Sequence, residues 1–167
     1  MNKSSVNQRK ISLFSVVIGM IITSSLCSQE LQIGTGESPL FEGEQLLLNG
    51  SYAAAADIFQ KADGLDRNEG IVGASRAFFM MGNSVEAVNI VEQEIEDKDY
   101  ASFPLMSTQL AEVKRSIGQS EEALAILSAV IDGLPEPPVR TLVQYGSLLK
   151  FLGRKTEADE ALDRAVQ

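Results

Sequence analysis

Small and large apolar residues recur along this chain on a long period. Four segments share a glycine followed five positions later by an alanine: Gly50 with Ala55, Gly82 with Ala87, Gly118 with Ala123 and Gly153 with Ala158. Successive glycines stand 32, 36 and 35 residues apart. Four positions beyond each alanine comes a large apolar residue, Phe59, Val91, Leu127 and Leu162. Three further on come Ala62, Glu94, Val130 and Ala165, with Glu94 as the misfit. Steps of four and three are the rhythm of an apolar helical face. The pattern predicts helices over 39–49, 52–63, 67–81, 84–98, 103–117, 120–132, 137–152 and 155–166, which pair into four helical hairpins.

Several residues read as punctuation. Glycine at the turn accepts the left-handed backbone that often ends a helix, and Ser84 or Ser120 can cap the helix that follows. Pro39, after Ser38, and Pro104 sit where a first helical turn tolerates a missing amide hydrogen. Asp66 with Glu69 reads as an acidic capping box.

A period near 34 residues with this residue pattern resembles the tetratricopeptide repeat. In the first helix of each repeat the family's adjacent large-then-small pair is represented by Ala74-Ser75, Leu110-Ala111 and Tyr145-Gly146, and the first repeat departs from it with Glu42-Gly43. The loop proline occurs once, as Pro135. The resemblance implies an all-α fold, a right-handed superhelical stack of about four hairpins, with repeats at approximately 36–67, 68–103, 104–138 and 139–167 inside a repeat region of 38–167. Such a stack normally finishes with a polar capping helix. Here the final predicted helix carries Ala158, Ala161, Leu162 and Ala165. Three expectations follow: the natural chain continues beyond Gln167, another subunit covers this edge by self-association, or a small exposed strip is tolerated.

The first 27 residues read as a secretory signal peptide. Lys3, Arg9 and Lys10 precede the apolar run Ile11 to Ile22, and small and polar residues follow. The run is short for a spanning helix and is broken by Ser12, Ser15 and Gly19. Cleavage after Cys27, acylation of Cys27 and retention as an uncleaved anchor all stay open, although Leu26 before the cysteine weighs against acylation. Residues 28–37 read as a flexible lead-in. The expected destination is the bacterial periplasm or cell envelope, or secretion.

Composition narrows the chemistry. Histidine is absent and Cys27 is the single cysteine, so Ser-His and Cys-His pairs and imidazole-rich zinc sites are closed. Carboxylates alone could serve a glycosidase, but no pair lies in a recognisable pocket-forming context. No enzyme activity, no cofactor and no metal are expected. The net charge is −9, and loss of the three leader bases takes it to −12. Nucleic acid and anionic membrane are poor partners for such a surface, and basic proteins or peptides would be favoured at long range.

The remaining candidate site comes from the resemblance, which implies a concave groove lined by the inner face of each first helix. Counting from the turn glycines places Glu44, Leu47, Arg76, Phe79, Glu112, Arg115, Ser147 and Lys150 there. They describe an apolar patch at Leu47 and Phe79 with basic points at Arg76, Arg115 and Lys150, suited to a protein or peptide partner. Some relatives clamp a terminal carboxylate with Lys and Asn; the matching positions here include Leu40, Glu44, Gly73 and Arg76, so that clamp is absent. The run Glu92 to Asp99 reads as a solvated charge cluster on a helix end, and residues 63–70 lack the spacing of a calcium loop. Asn49-Gly50-Ser51 matches a glycosylation sequon within a tight turn. An exported adaptor is the leading expectation, and the amino-terminal repeat region of a larger exported enzyme or assembly factor is the alternative.

Overall fold

Four turn glycines set the frame. Gly50, Gly82, Gly118 and Gly153 have φ of 75°, 79°, 86° and 81°, backbone that a side chain strains. At each, the glycine amide donates to the carbonyl three residues back and the next amide reaches the carbonyl five back. At the first turn these are Gly50 to Leu47 at 3.0 Å and Ser51 to Leu46 at 2.9 Å. This double bond satisfies the last carbonyls of a helix and reverses the chain. Repeated four times, it also fixes the rotational phase of each preceding helix relative to its glycine.

The computed structural model describes residues 38–166, and the expected signal peptide and lead-in lie outside them. Eight α-helices and no strand occur among the described residues. They are α1 (Pro39–Leu48), α2 (Tyr52–Phe59), α3 (Arg67–Met80), α4 (Ser84–Glu92), α5 (Pro104–Ser116), α6 (Ser120–Gly133), α7 (Val139–Phe151) and α8 (Lys155–Ala165). Each odd helix packs on the even helix after it. Odd helices also touch one another in sequence, α1 with α3, α3 with α5 and α5 with α7, while α2, α4 and α6 each reach the next odd helix. The result is a stack of four hairpins in two layers.

Close approach within the hairpins depends on the repeat's small residues. Ala55, Ala87, Ala123 and Ala158 are all buried. Phe59 is 2% exposed and wedged between two glycines. A Cβ on Gly43 would stand 2.6 Å from the ring, and one on Gly73 would stand 2.5 Å away. Gly43 therefore fills the small position of the first repeat, and only its partner Glu42 breaks the expected pair. Gly146 makes the same room for Leu162, whose Cγ would be 2.7 Å from an added Cβ. Two buried hydrogen bonds lock the register: Ser75 Oγ donates to Ala87 O at 2.8 Å, and the hydroxyls of Thr108 and Thr141 join α5 to α7 at 2.8 Å.

The structure corrects several local expectations. α2 stops at Phe59, four residues early, because the chain tightens into three-residue turns that bring Ala62 back into the core. α4 stops at Glu92 rather than 98; Asp97 and Lys98 adopt φ of 49° and 59°. A run of carboxylates at the negative end of a helix opposes its continuation. Buried Ile95 takes the core place that Glu94 cannot fill. The cap before α4 is Asn83, whose Oδ1 accepts from Glu86 N at 3.3 Å, and Ser84 is the first helical residue. Gln119, not Ser120, precedes α6 and makes no side-chain cap. Asp66 forms no capping box and instead accepts from Ser38 Oγ at 3.2 Å. Pro39 and Pro104 open α1 and α5 as expected, and Ser38 caps α1, accepting from Leu40 N at 3.3 Å. In α8 the anticipated exposed strip is largely covered: Ala158 and Ala161 are buried, Leu162 and Ala165 half-buried, and charged residues face outward.

Candidate functional site

The eight groove residues fall on α1, α3, α5 and α7, two per helix. Five of them, Glu44, Leu47, Arg76, Phe79 and Glu112, line one cavity of about 250 Å³ between α1, α3 and α5. A second cavity of about 310 Å³ between α5 and α7 takes Glu112, Arg115 and Ser147. Glu112 is common to both, so the two cavities form neighbouring stations along one face. Lys150 is exposed on α7 and lines neither cavity.

Charge on this face is partly spent internally. Arg76 Nη1 lies 2.7 Å from Glu44 Oε1, with both side chains 44% exposed. A pair this open is worth about 0.2–1 kcal/mol. Glu112 Oε2 accepts from Arg140 Nη2 at 3.2 Å and from Gln144 Nε2 at 3.1 Å. Arg76 is therefore a neutralised position, not an available basic point. Among the described residues Arg115 and Lys150 have no ion-pair partner.

Counting three and six residues back from each turn glycine missed the apolar rim. Leu48, Met80 and Phe151, each two residues before a turn glycine, also line these cavities. They are 77%, 56% and 74% exposed, unusual values for such large apolar side chains. The fourth such position is Ser116. The signal was in the sequence, since apolar residues occupy that offset in three of four repeats. Tyr52, Gln109 and Val113 complete the first cavity, and Val143 and Gln144 stand in the second.

A different cluster involves α4 and α6. Lys114, its side chain 10% exposed, lies 3.1 Å from Glu92 Oε1 and 3.0 Å from Glu122 Oε2. Burial works against its charge, but the hydrogen bonds to Glu122 and Glu92 outweigh it, so the ammonium titrates above the ordinary lysine range. Tyr100, raised by burial and then by Glu92, shares the same cavity of about 350 Å³. Glu94 also pairs, accepting from Arg67 Nε at 3.0 Å. The acidic run is thus solvated only in part, with Glu92 and Glu94 tied to cations. Residues 64–66 form a single 3-10 turn leading into α3. Among the described residues no three His, Cys, Asp or Glu side chains are grouped to hold a metal, and no helix is long and apolar enough to cross a membrane.

The sequence pattern of the tetratricopeptide repeat matches residues 139–167. No curated protein matches the chain. Solved structures are similar over most of it. Tetratricopeptide-like repeats of Podosopora anserina align with a TM-score of 0.59 at 19% identity, covering 77% of this chain and 72% of that one. A thermophilic tetratricopeptide-repeat protein of Thermus thermophilus gives 0.53 at 23% identity over 77% and 71%. YrrB, described as a tetratricopeptide-repeat protein with an unusual peptide-binding site, gives 0.54 at 15% identity over 93% and 80%. Residues 139–167 thus carry the tetratricopeptide repeat in sequence, and the described chain has the tetratricopeptide-repeat fold.

Proposed function

We propose that this protein is an exported, non-enzymatic scaffold that holds a segment of another protein along α1, α3, α5 and α7. The observation that carries the reading is the cavity between α1, α3 and α5. Residues distant in sequence, from Glu44 to Glu112, converge there on an apolar floor beside exposed Leu48 and Met80. Large apolar side chains left at the edge of a concavity favour an occupant that removes them from water. The peptide-binding site named for YrrB, a protein of similar fold, is in keeping with this use of the architecture. Absence of histidine from the whole sequence supports binding over acid–base catalysis. The charged and apolar leader, Lys3 to Ile22, supports export to the periplasm or envelope.

Cross-linking of the mature protein in envelope extract tests the assignment. A distinct protein should be trapped, and an Arg76, Phe79 and Arg115 triple substitution should abolish the product. Trapping that is indifferent to those changes would place the partner elsewhere. Fractionation of the expressing cells tests export, and accumulation of uncleaved chain in the cytoplasm would defeat that part.

A further inference from the structure

We infer that the groove takes an acidic partner, a polypeptide segment in which apolar residues alternate with Asp or Glu, although the protein itself is strongly acidic. This rests on the groove reading and adds the chemistry of the occupant. The net charge of −9 on its own points to a basic partner. The structure divides that charge unevenly. The odd helices carry six basic and four acidic side chains, but Arg67 is paired with Glu94, and Lys114 with Glu92 and Glu122, away from the groove cavities. On the groove side Arg76, Arg115, Arg140 and Lys150 stand against Glu44 and Glu112, a surplus of two positive charges. The even helices carry two basic and ten acidic side chains, a surplus of eight negative charges.

Within the groove the acids are already engaged. Glu44 is held by Arg76, and Glu112 by Arg140 and Gln144. Arg115 faces the second cavity without an ion-pair partner among the described residues, beside Ser147 and the apolar Val143 and Phe151. Lys150, likewise without one, is exposed on α7 next to Phe151 in sequence. A guanidinium beside apolar walls suits a carboxylate flanked by apolar side chains, since the fork bonds the acid while the neighbours are buried. A basic segment would meet Arg115 and Lys150 as like charges and would find Glu44 and Glu112 already paired. Specificity then comes from repulsion as much as from attraction.

Three fluorescent peptides of one apolar pattern, with Glu, Gln or Lys at the polar positions, test this on the full chain by anisotropy. The Glu peptide should bind tightest and the Lys peptide weakest. Arg115→Gln with Lys150→Gln should remove the preference of Glu over Gln, which amounts to about two- to fivefold per cation. A preference for Lys, equal binding of all three, or an acidic preference that survives the double substitution would overturn the inference. A Leu48→Ser and Met80→Ser variant separates the two levels. If it loses all three peptides while the Lys peptide ranks first, the groove stands and the acidic assignment falls. If it binds all three unchanged, the groove reading itself falls.

Discussion

Substituting Gly73 by alanine probes the packing that holds the first two repeats together. The new Cβ would stand 2.5 Å from Cδ1 and Cε1 of Phe59, where carbon atoms normally rest about 3.5–4.0 Å apart. The ring must retreat by about 1 Å to restore ordinary contact. It cannot do so freely, because Gly43 of a second helix also closes on the ring, where a Cβ would be 2.6 Å away. Overpacking costs about 1–3 kcal/mol, and a ring closely approached from two helices argues for the upper half. Replacing glycine within a helix returns about 1 kcal/mol. The net expectation is a loss of about 1–2 kcal/mol, measured by urea unfolding with far-ultraviolet circular dichroism. Removing the wedge should reverse the sign. In a Phe59→Val background, which has Val where the next repeat has Val91, Gly73→Ala should be neutral or stabilising, although Phe59→Val is itself destabilising. The cycle predicts a coupling near 2 kcal/mol. A cost for Gly73→Ala below about 0.5 kcal/mol, or one equal in both backgrounds, would refute the wedge.

Other substitutions address turns, caps and pH. Gly118→Ala, at φ of 86°, should cost about 1–2 kcal/mol by the same unfolding assay, although nothing lies within 4 Å of the added methyl. Asn83→Ala should cost about 1 kcal/mol and Ser84→Ala less than about 0.5, the reverse of the order expected if Ser84 were the cap. Lys114 has a folded pKa raised above its unfolded value, so its stabilising contribution is present below about pH 10 and lost as pH climbs through the folded pKa. The stability advantage of the native chain over Lys114→Met should therefore hold from neutral pH to about pH 10 and shrink above it.

Much of the architecture was legible because it rests on local chemistry. The turn glycines need left-handed backbone, and the alanines five residues on need close helix contact, so both requirements leave fixed residue types at fixed offsets. Since each turn locks the phase of the helix before it, counting back from Gly82 located Arg76 and Phe79 on the cavity wall. What escaped depended on contacts across distance. The wedge joins Gly43, Phe59 and Gly73 from three helices; Gly43 and Phe59 sit at repeat positions, but Gly73 carried no periodic signal. Pairing of Glu44 with Arg76 and of Glu112 with Arg140 joins successive odd helices, so the sequence showed charges but not which remained unspent. The early stop of α4 followed from carboxylates accumulating at a helix end, a collective effect that apolar periodicity ignores.

Whether a partner occupies the face built by the odd helices is the central question. A photoreactive amino acid placed singly at Leu47, Phe79, Arg115, Val85 or Glu160 of the full chain answers it in the native host. The first three stand on the groove, while Val85 and Glu160 are exposed on α4 and α8. A groove scaffold predicts one common adduct from Leu47, Phe79 and Arg115 and none from Val85 or Glu160. An adduct formed from Val85 or Glu160, with none from the three groove positions, would contradict it.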